Sequence, residues 1–254
     1  MEDTASRSLP PSEGYTGLRP GIGLFPAQKT MIDWGARRVR TLLASFMGSG
    51  KTLASLVLAF LKMRASGQQN PRCMVVCDRA LFDGWRKNFG YFMPGVFKPI
   101  FVYTNQLSRS DPIFEKSLSN PYFNVIVVAY TTLRVAHQKY DSGIGDVSSI
   151  LFEQEYAVLI ADEAQRVKNP ATKVHVAVRS VRARDCIFLS GTPVENRYEE
   201  LRGVLECMGL CQEDAHVLPD GTRCCSGYGH QFVGNKWKWK RMFDMRGLEL
   251  SLRK

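Results

Sequence analysis

The sequence predicts an α/β protein built on a doubly wound parallel sheet. From Leu24 to about Leu210, short apolar runs alternate with helical patterns, as they do where parallel strands are joined by helices. A glycine-containing turn at residues 48–50 lies between an apolar run of strand length and a good helix-forming segment. Two carboxylates, Asp162 and Glu163, directly follow another apolar run typical of a buried strand.

The pattern along the chain divides it into three parts. We expect a flexible lead rich in Ser, Pro and Gly over residues 1–18, a single lobe over 19–210 and a basic, aromatic appendage over 211–254. Residues 106–120 and 141–149 are predicted to be surface excursions of the lobe. Strands are expected near Thr41, Val75, Phe101, Val127, Leu159 and Phe188.

The turn before the first long helix matches the end of a phosphate-binding loop. The matching residues are Gly48, Ser49, Gly50, Lys51 and Thr52. Glycines allow backbone N–H groups to approach phosphates, Lys51 would reach the β- and γ-phosphates, and the Thr52 hydroxyl would bind Mg²⁺. The full pattern has a further glycine where this chain has Ser45, so an ordinary glycine turn before a helix is the alternative.

The adjacent carboxylates suit phosphoryl transfer. Asp162 would complete the magnesium site opposite Thr52, and Glu163 would orient the attacking water. The alternative is a solvated acidic pair at a helix start, where the helix dipole favours carboxylates. That alternative does not explain the apolar run before the pair. Together with the loop, the pair predicts ATP hydrolysis with ATP and Mg²⁺ as cofactors.

The segments, in this order, resemble the first motor lobe of Swi/Snf-type DNA translocases, a branch of helicase superfamily two. The resemblance extends over about residues 24–210 and is carried by blocks at 24–28, 48–52, 75–81, 124–134, 162–169 and 190–193. It implies a single RecA-like P-loop NTPase lobe. It also implies that Gln28 reads the adenine edge. Contacts to nucleic acid are implied for Arg79, Thr131, Thr132, Arg134, Thr192 and Asn196.

The chain departs from the family pattern at three places. Ser45 and Phe46 stand where the family has an acidic pair, and Asp78 stands where it favours proline, which weakens the assignment around Arg79. Gln165 occupies a position that the family usually fills with histidine. We place Gln165 in the catalytic set with Lys51, Asp162 and Glu163, although its coupling contact is open.

The composition suits a partner with a phosphate backbone. The net charge is +10, and residues 223–254 hold eight basic and two acidic residues. Lys236, Lys238 and Lys240 alternate with tryptophans, and this segment could bind the DNA backbone or bases. The favoured alternative is an edge strand with one face in the core, because the residues alternate with the period of a strand. The appendage faintly resembles the annealing-helicase branch, which implies branched as well as double-stranded DNA as partner.

The cysteines and the hydropathy indicate an intracellular protein. Seven cysteines form no disulfide framework, and Cys73, Cys77 and Cys186 are expected in the core. A zinc site is a less favoured alternative for Cys207, Cys211, Cys224 and Cys225. No apolar stretch approaches the ~18 residues of a membrane span. We expect a cytoplasmic, nucleoid or, in a eukaryote, nuclear protein without a membrane partner.

Two functions from different classes fit these observations. The favoured one is a DNA-dependent ATPase lobe, weak or inactive alone, because the resemblance implies a second motor lobe that supplies an arginine, in the missing segment or on another chain. The alternative is a non-catalytic module that binds DNA or protein and uses nucleotide only as a structural ligand. The intact Glu163 favours the ATPase.

Overall fold

The computed structural model describes residues 17–107, 112–144, 147–192 and 198–210, together with the backbone of residues 216–217 and 223–224. Side chains of residues 198–200 are not among those described. Eight helices lie in this part of the chain: α1 Pro26–Ala36, α2 Lys51–Arg64, α3 Phe82–Phe92, α4 Pro112–Ser119, α5 Tyr130–Asp141, α6 Val147–Glu153, α7 Lys173–Arg179 and α8 Tyr198–Cys207. Short 3₁₀ turns occur at Arg79–Leu81, Thr104–Leu107 and Ala164–Val167.

Six parallel strands form the central sheet, which confirms the predicted fold class. The strands are β1 Arg40–Ala44, β2 Cys73–Cys77, β3 Pro99–Val102, β4 Val125–Ala129, β5 Tyr156–Ala161 and β6 Ala183–Ser190. Their order across the sheet is β1-β6-β5-β2-β4-β3, and every neighbouring pair is parallel. All six predicted strand positions fall inside these strands. Residues 216–217 and 223–224 form a separate, short antiparallel pair.

Helices cover both faces of the sheet. Apolar residues of α1, α2 and α3 pack on one face, and those of α4 to α8 pack on the other. The strands β2, β4 and β5 are buried along their whole length, as expected for a parallel sheet covered on both sides. Cys73, Cys77 and Cys186 are free and buried in this core, as predicted, and burial raises the pKa of the Cys186 thiol to about 11.

A buried ion pair fastens α2 to the sheet. The Lys62 ammonium lies 2.7 Å from a carboxylate oxygen of Asp185 in β6, and both side chains are almost fully buried. The pair lies near the end of α2, whose first residue is Lys51. It therefore helps to fix the helix that presents the phosphate loop.

Two predicted surface excursions are partly wrong. The first contains α4, because Phe114 and Leu118, four residues apart, share one helix face and pack into the core while Ile113 stays 79% exposed. The second contains the start of α6, where Val147 and Ser148 are buried. At the predicted lead, Leu18 already packs against the core, and residues 1–16 lie outside the described part. No helix among the described residues is long and apolar enough to cross a membrane.

Candidate nucleotide site

The candidate site lies where the strands of the sheet end. Parallel strands place their carboxyl ends at one edge, and ligands of open α/β sheets bind there. The phosphate loop follows β1, the acidic pair follows β5, and Ser190 ends β6, which lies between them. Residues that are far apart in sequence are thereby brought to one edge of the sheet.

The loop between β1 and α2 requires glycine at two positions. Gly48 and Gly50 both have φ of +79°, a conformation that residues with a Cβ adopt only at a cost. A Cβ on Gly50 would lie 2.0 Å from Nε2 of Gln28, whereas a Cβ on Gly48 would meet nothing within 4 Å. Ser45, at the position of the absent glycine, donates its N–H to the carbonyl oxygen of Ser190. The loop is therefore anchored to the end of β6.

Lys51 lies across the inside of this loop. Its Nζ donates to the carbonyl oxygens of Ser45 at 2.6 Å and Phe46 at 2.8 Å. Burial lowers the pKa of the Lys51 ammonium, and the negative charges of Glu163 and Asp162 oppose that shift. The loop and the acidic pair are thus close enough to interact electrostatically.

The Asp162 carboxylate is fixed at both oxygens. One accepts a hydrogen bond from the indole Nε1 of Trp85 at 3.0 Å, and the other accepts from the backbone N–H of Glu163 at 3.0 Å. The Tyr130 hydroxyl donates to the main-chain oxygen of Asp162 at 2.7 Å. Burial raises the pKa of Asp162, while the hydrogen bond from Trp85 opposes this.

A chain of hydrogen bonds joins Glu163 to the end of β6. Gln165 donates from Nε2 to a Glu163 carboxylate oxygen at 2.8 Å, and its Oε1 accepts from the Ser190 hydroxyl at 2.9 Å. The backbone N–H of Thr192 in turn donates to the Ser190 oxygen at 3.1 Å. A glutamine serves at this position because its amide holds both a donor and an acceptor. The contact that the sequence left open is therefore a two-sided bridge.

The backbone at Glu163 is in an uncommon conformation. Its φ is +52°, and among the described residues no other non-glycine residue has a positive φ. Such a conformation costs on the order of 1–3 kcal/mol and persists where surrounding contacts hold it. The bonds that Gln165 and Asp162 make to Glu163 are contacts of this kind.

The oxygen donors of Thr52 and Asp162 fit magnesium. Mg²⁺ is usually held by one or two carboxylates together with waters and substrate phosphates, so a protein cage is not needed. Among the residues that the structure describes, no group of three or more His, Cys, Asp and Glu could hold a metal ion. Of the alternative zinc ligands, Cys207 is buried and lies 3.8 Å from the carbonyl oxygen of His175, and the other side chains lie outside the described residues.

Gln28, predicted to read adenine, is held against the loop. Its side chain is 3% exposed, and its Oε1 accepts from the backbone N–H of Phe25 at 2.9 Å. Its Nε2 lies beside Gly50. The adenine contact stays a prediction, and the observed contacts connect Gln28 to the shape of the loop.

The predicted nucleic-acid residues differ in their accessibility. Arg79 is exposed, and its guanidinium lies 4.6 Å from the ring centre of Phe82. Thr131 and Thr192 are exposed, and Arg134 is half-buried. Thr132 is buried, and its hydroxyl hydrogen-bonds that of Thr104 at 2.7 Å, so this side chain does not face solvent. Asn196, Lys236, Lys238 and Lys240 lie outside the described residues.

Several contacts at the site were not predicted from the sequence. They include the bonds of Trp85 and Tyr130 to Asp162, and a salt bridge of 2.7 Å between Asp78 and Arg166. Tyr130 carries one sequence signal, since it directly follows the apolar run of β4. The salt bridge also explains why Asp78 stands where the family favours proline. Its carboxylate binds Arg166 and so joins the segment after β2 to the segment after the acidic pair.

Comparison with known protein families extends over most of the chain. The SNF2-related domain matches residues 27–211. Among curated proteins, the ATP-dependent helicase FUN30 of Saccharomyces cerevisiae is 27% identical over 194 residues, covering 74% of this chain and 16% of the helicase. The putative ATP-dependent helicase/translocase YwqA of Bacillus subtilis is 28% identical over 212 residues, covering 81% and 21%. The chain thus spans about a fifth or less of the length of these relatives.

Solved structures support the same fold. The SWI2/SNF2 ATPase core of Sulfolobus solfataricus in complex with dsDNA superimposes with a TM-score of 0.58 at 22% identity, over 74% of this chain and 36% of that one. The core domain of the same organism gives a TM-score of 0.59 at 23% identity, over 82% and 38%. At these identities the likeness establishes the RecA-like fold alone.

Proposed function

Because this chain belongs to the SNF2-related family of helicase-like ATPases, we propose that it is the ATP-binding lobe of an enzyme that couples ATP hydrolysis to binding of, or translocation along, double-stranded DNA. The observation that carries the proposal is that Lys51, in the loop after β1, and the pair Asp162 and Glu163, after β5, lie at the same carboxyl edge of the sheet on either side of β6. Phosphoryl transfer depends mainly on the positioning of the reacting groups and on stabilisation of the developing charge. This edge of the sheet offers one cation and two carboxylates for these tasks.

Each residue of the site has a task in this proposal. The backbone N–H groups of the loop at Gly48 and Gly50 receive the phosphates, and Lys51 turns from the loop carbonyls to the β- and γ-phosphates. Thr52 and Asp162 supply the oxygen ligands of Mg²⁺, which neutralises developing phosphate charge when bound.

Glu163 orients the attacking water. Its carboxylate is held by Gln165, whose bond to Ser190 connects it to the segment that begins at Gly191. The resemblance assigns DNA contacts to that segment, through Thr192. The bridge of hydrogen bonds is therefore a physical route by which DNA contact could alter the position of Glu163.

DNA is the proposed partner on two grounds. The chain is strongly basic, and a solved neighbour is the ATPase core in complex with dsDNA. Arg79 and Thr131 are both exposed. Arg79 follows β2 and Thr131 lies in the first turn of α5, so both are at the same edge of the sheet as the nucleotide site. We propose that these residues contact the DNA backbone, with branched duplexes as a variant of the same partner.

A second lobe is part of the proposal. It would close the ATP site and supply an arginine, either within the same polypeptide or from another chain. Such an arginine is worth about 10³- to 10⁵-fold in rate. We therefore expect slow turnover when these 254 residues are assayed without such a lobe.

The proposal is tested by ATP turnover with and without duplex DNA, using Glu163→Gln as the blank. We expect Mg²⁺-dependent ATP binding that Lys51→Ala abolishes, and turnover that DNA raises above the blank. Unchanged ATP binding in Lys51→Ala would refute the phosphate-loop assignment. Binding without turnover above the blank, even with DNA, would mean that the chain is either half of a motor that needs its second lobe or a module that uses nucleotide as a structural ligand.

A further inference from the structure

A tryptophan in α3 donates a hydrogen bond to Asp162 of the acidic pair. The indole Nε1 of Trp85 donates to Oδ2 of Asp162 at 3.0 Å, although the two residues are 77 positions apart. Trp85 is only 2% exposed. A buried indole needs one partner for its single donor, and here that partner is the carboxylate proposed to bind Mg²⁺.

The geometry restricts the Asp162 side chain. The other carboxylate oxygen accepts from the N–H of Glu163, so both oxygens have a donor in a fixed place. Trp85 is itself held by its neighbours, with its ring centre 5.6 Å from that of Phe89 in the apolar cluster between α3 and the sheet. Packing in the core therefore determines the position of the indole. Through its hydrogen bond, the indole in turn restricts the orientation of the Asp162 carboxylate.

Packing alone does not explain why residue 85 is a tryptophan. A phenylalanine would fill most of the same apolar space without a polar atom, whereas the indole N–H points at a charged group. Hydrogen bonds to charged groups are stronger than those between neutral groups. In metal sites, partners that orient a ligand from behind typically contribute 10- to 100-fold to metal affinity.

We propose that Trp85 is a positioning residue for magnesium: it holds the Asp162 carboxylate in the orientation that receives the Mg²⁺ of the bound nucleotide. The proposal rests on the function proposed above, because it takes Asp162 as a magnesium ligand. It adds a residue of α3, beyond the phosphate loop and the acidic pair, to the determinants of cofactor affinity. Trp85 does not touch the nucleotide in this proposal and acts only through Asp162.

The test compares ATP binding with and without Mg²⁺ in Trp85→Phe. Affinity for a fluorescent ATP analogue is titrated in excess EDTA and then across a series of Mg²⁺ concentrations. We expect the affinity in EDTA to match the parent, while the Mg²⁺ concentration for half-maximal strengthening rises about 10-fold or more. A merely structural tryptophan would change both affinities together or neither.

Phe97→Leu is the matched control for loss of aromatic packing. Phe97 is buried in the same apolar cluster and contacts Phe89, 5.4 Å between ring centres. Melting temperatures of both variants show how much each loosens the fold. We expect Phe97→Leu to keep the Mg²⁺ dependence of the parent at a comparable loss of stability.

The outcomes separate this inference from the proposed function. If the parent chain gains no ATP affinity from Mg²⁺, the assignment of the nucleotide site fails. If the parent gains affinity and Trp85→Phe keeps the same Mg²⁺ dependence, the positioning role of Trp85 is refuted while the nucleotide site stands. A shift of the same size in Phe97→Leu would also refute it, because loosening of the core would then account for the effect.

Discussion

Gly50→Ala should destabilise the protein far more than Gly48→Ala, although both glycines have the same φ of +79°. The left-handed conformation costs an alanine about 1 kcal/mol at either position. At Gly50 the new Cβ would also lie 2.0 Å from Nε2 of Gln28, whereas at Gly48 it meets nothing within 4 Å. The difference between the two variants therefore isolates the contact with Gln28.

The magnitude follows from what Gln28 must give up. Its side chain is almost fully buried and its Oε1 accepts from the Phe25 N–H at 2.9 Å. Moving it away would break that bond and leave a buried polar group without its partner, which costs about 1–3 kcal/mol. We expect a loss of roughly 1 kcal/mol for Gly48→Ala and about 2–4 kcal/mol for Gly50→Ala.

Urea unfolding of the two single variants, of Gln28→Ala and of the double variant Gln28→Ala/Gly50→Ala measures this coupling. With the glutamine truncated, Gly50→Ala should cost only the backbone term of about 1 kcal/mol. Equal losses for the two glycine variants would refute the reasoning. The same conclusion would follow if truncating Gln28 failed to reduce the cost of Gly50→Ala.

Three further predictions concern the site and its support. Glu163→Gln should bind Mg²⁺ and ATP like the parent but lose hydrolysis in a phosphate-release assay, and hydrolysis at the parent rate would show that another group orients the water. Asp185→Ala removes the carboxylate of a buried ion pair with Lys62 and should cost about 3–5 kcal/mol by urea unfolding, most of which Lys62→Met/Asp185→Leu should restore. Gln165→Ala should lower ATP turnover by up to about 100-fold with little change in ATP affinity, because Glu163 loses the contact that orients it. Gln165→Asn should behave similarly, because its shorter amide cannot reach both Glu163 and Ser190. Unchanged turnover in both variants would show that the bridge plays no part in catalysis.

The strands and the phosphate loop could be predicted because their determinants are local. Each of the six strands contains a short apolar run that is visible in the sequence, and the glycines before Lys51 mark a turn between strand and helix. The helix Pro112–Ser119 cannot be predicted in this way because only two buried residues, Phe114 and Leu118, mark its inner face. Eight residues with so few apolar positions give little periodicity to detect.

The contacts that tune the site could not be predicted because they join distant segments. The bond between Trp85 and Asp162 depends on β2 and β5 being neighbours in the sheet. The sequence indicates the strands but not their order. The burial of Gln28 and of Thr132 likewise depends on what packs against them, which no local pattern records.

The bridge at Gln165 has a consequence for the pH response of the protein. An imidazole at this position, as the resembling family usually has, can gain a proton between about pH 5 and 8 and would then lose its ability to accept a hydrogen bond. A carboxamide has no such transition, so Gln165 offers the same donor to Glu163 and the same acceptor to Ser190 across that range. In this chain the side chain that joins Glu163 to the end of β6 therefore adds no titrating group of its own to the link.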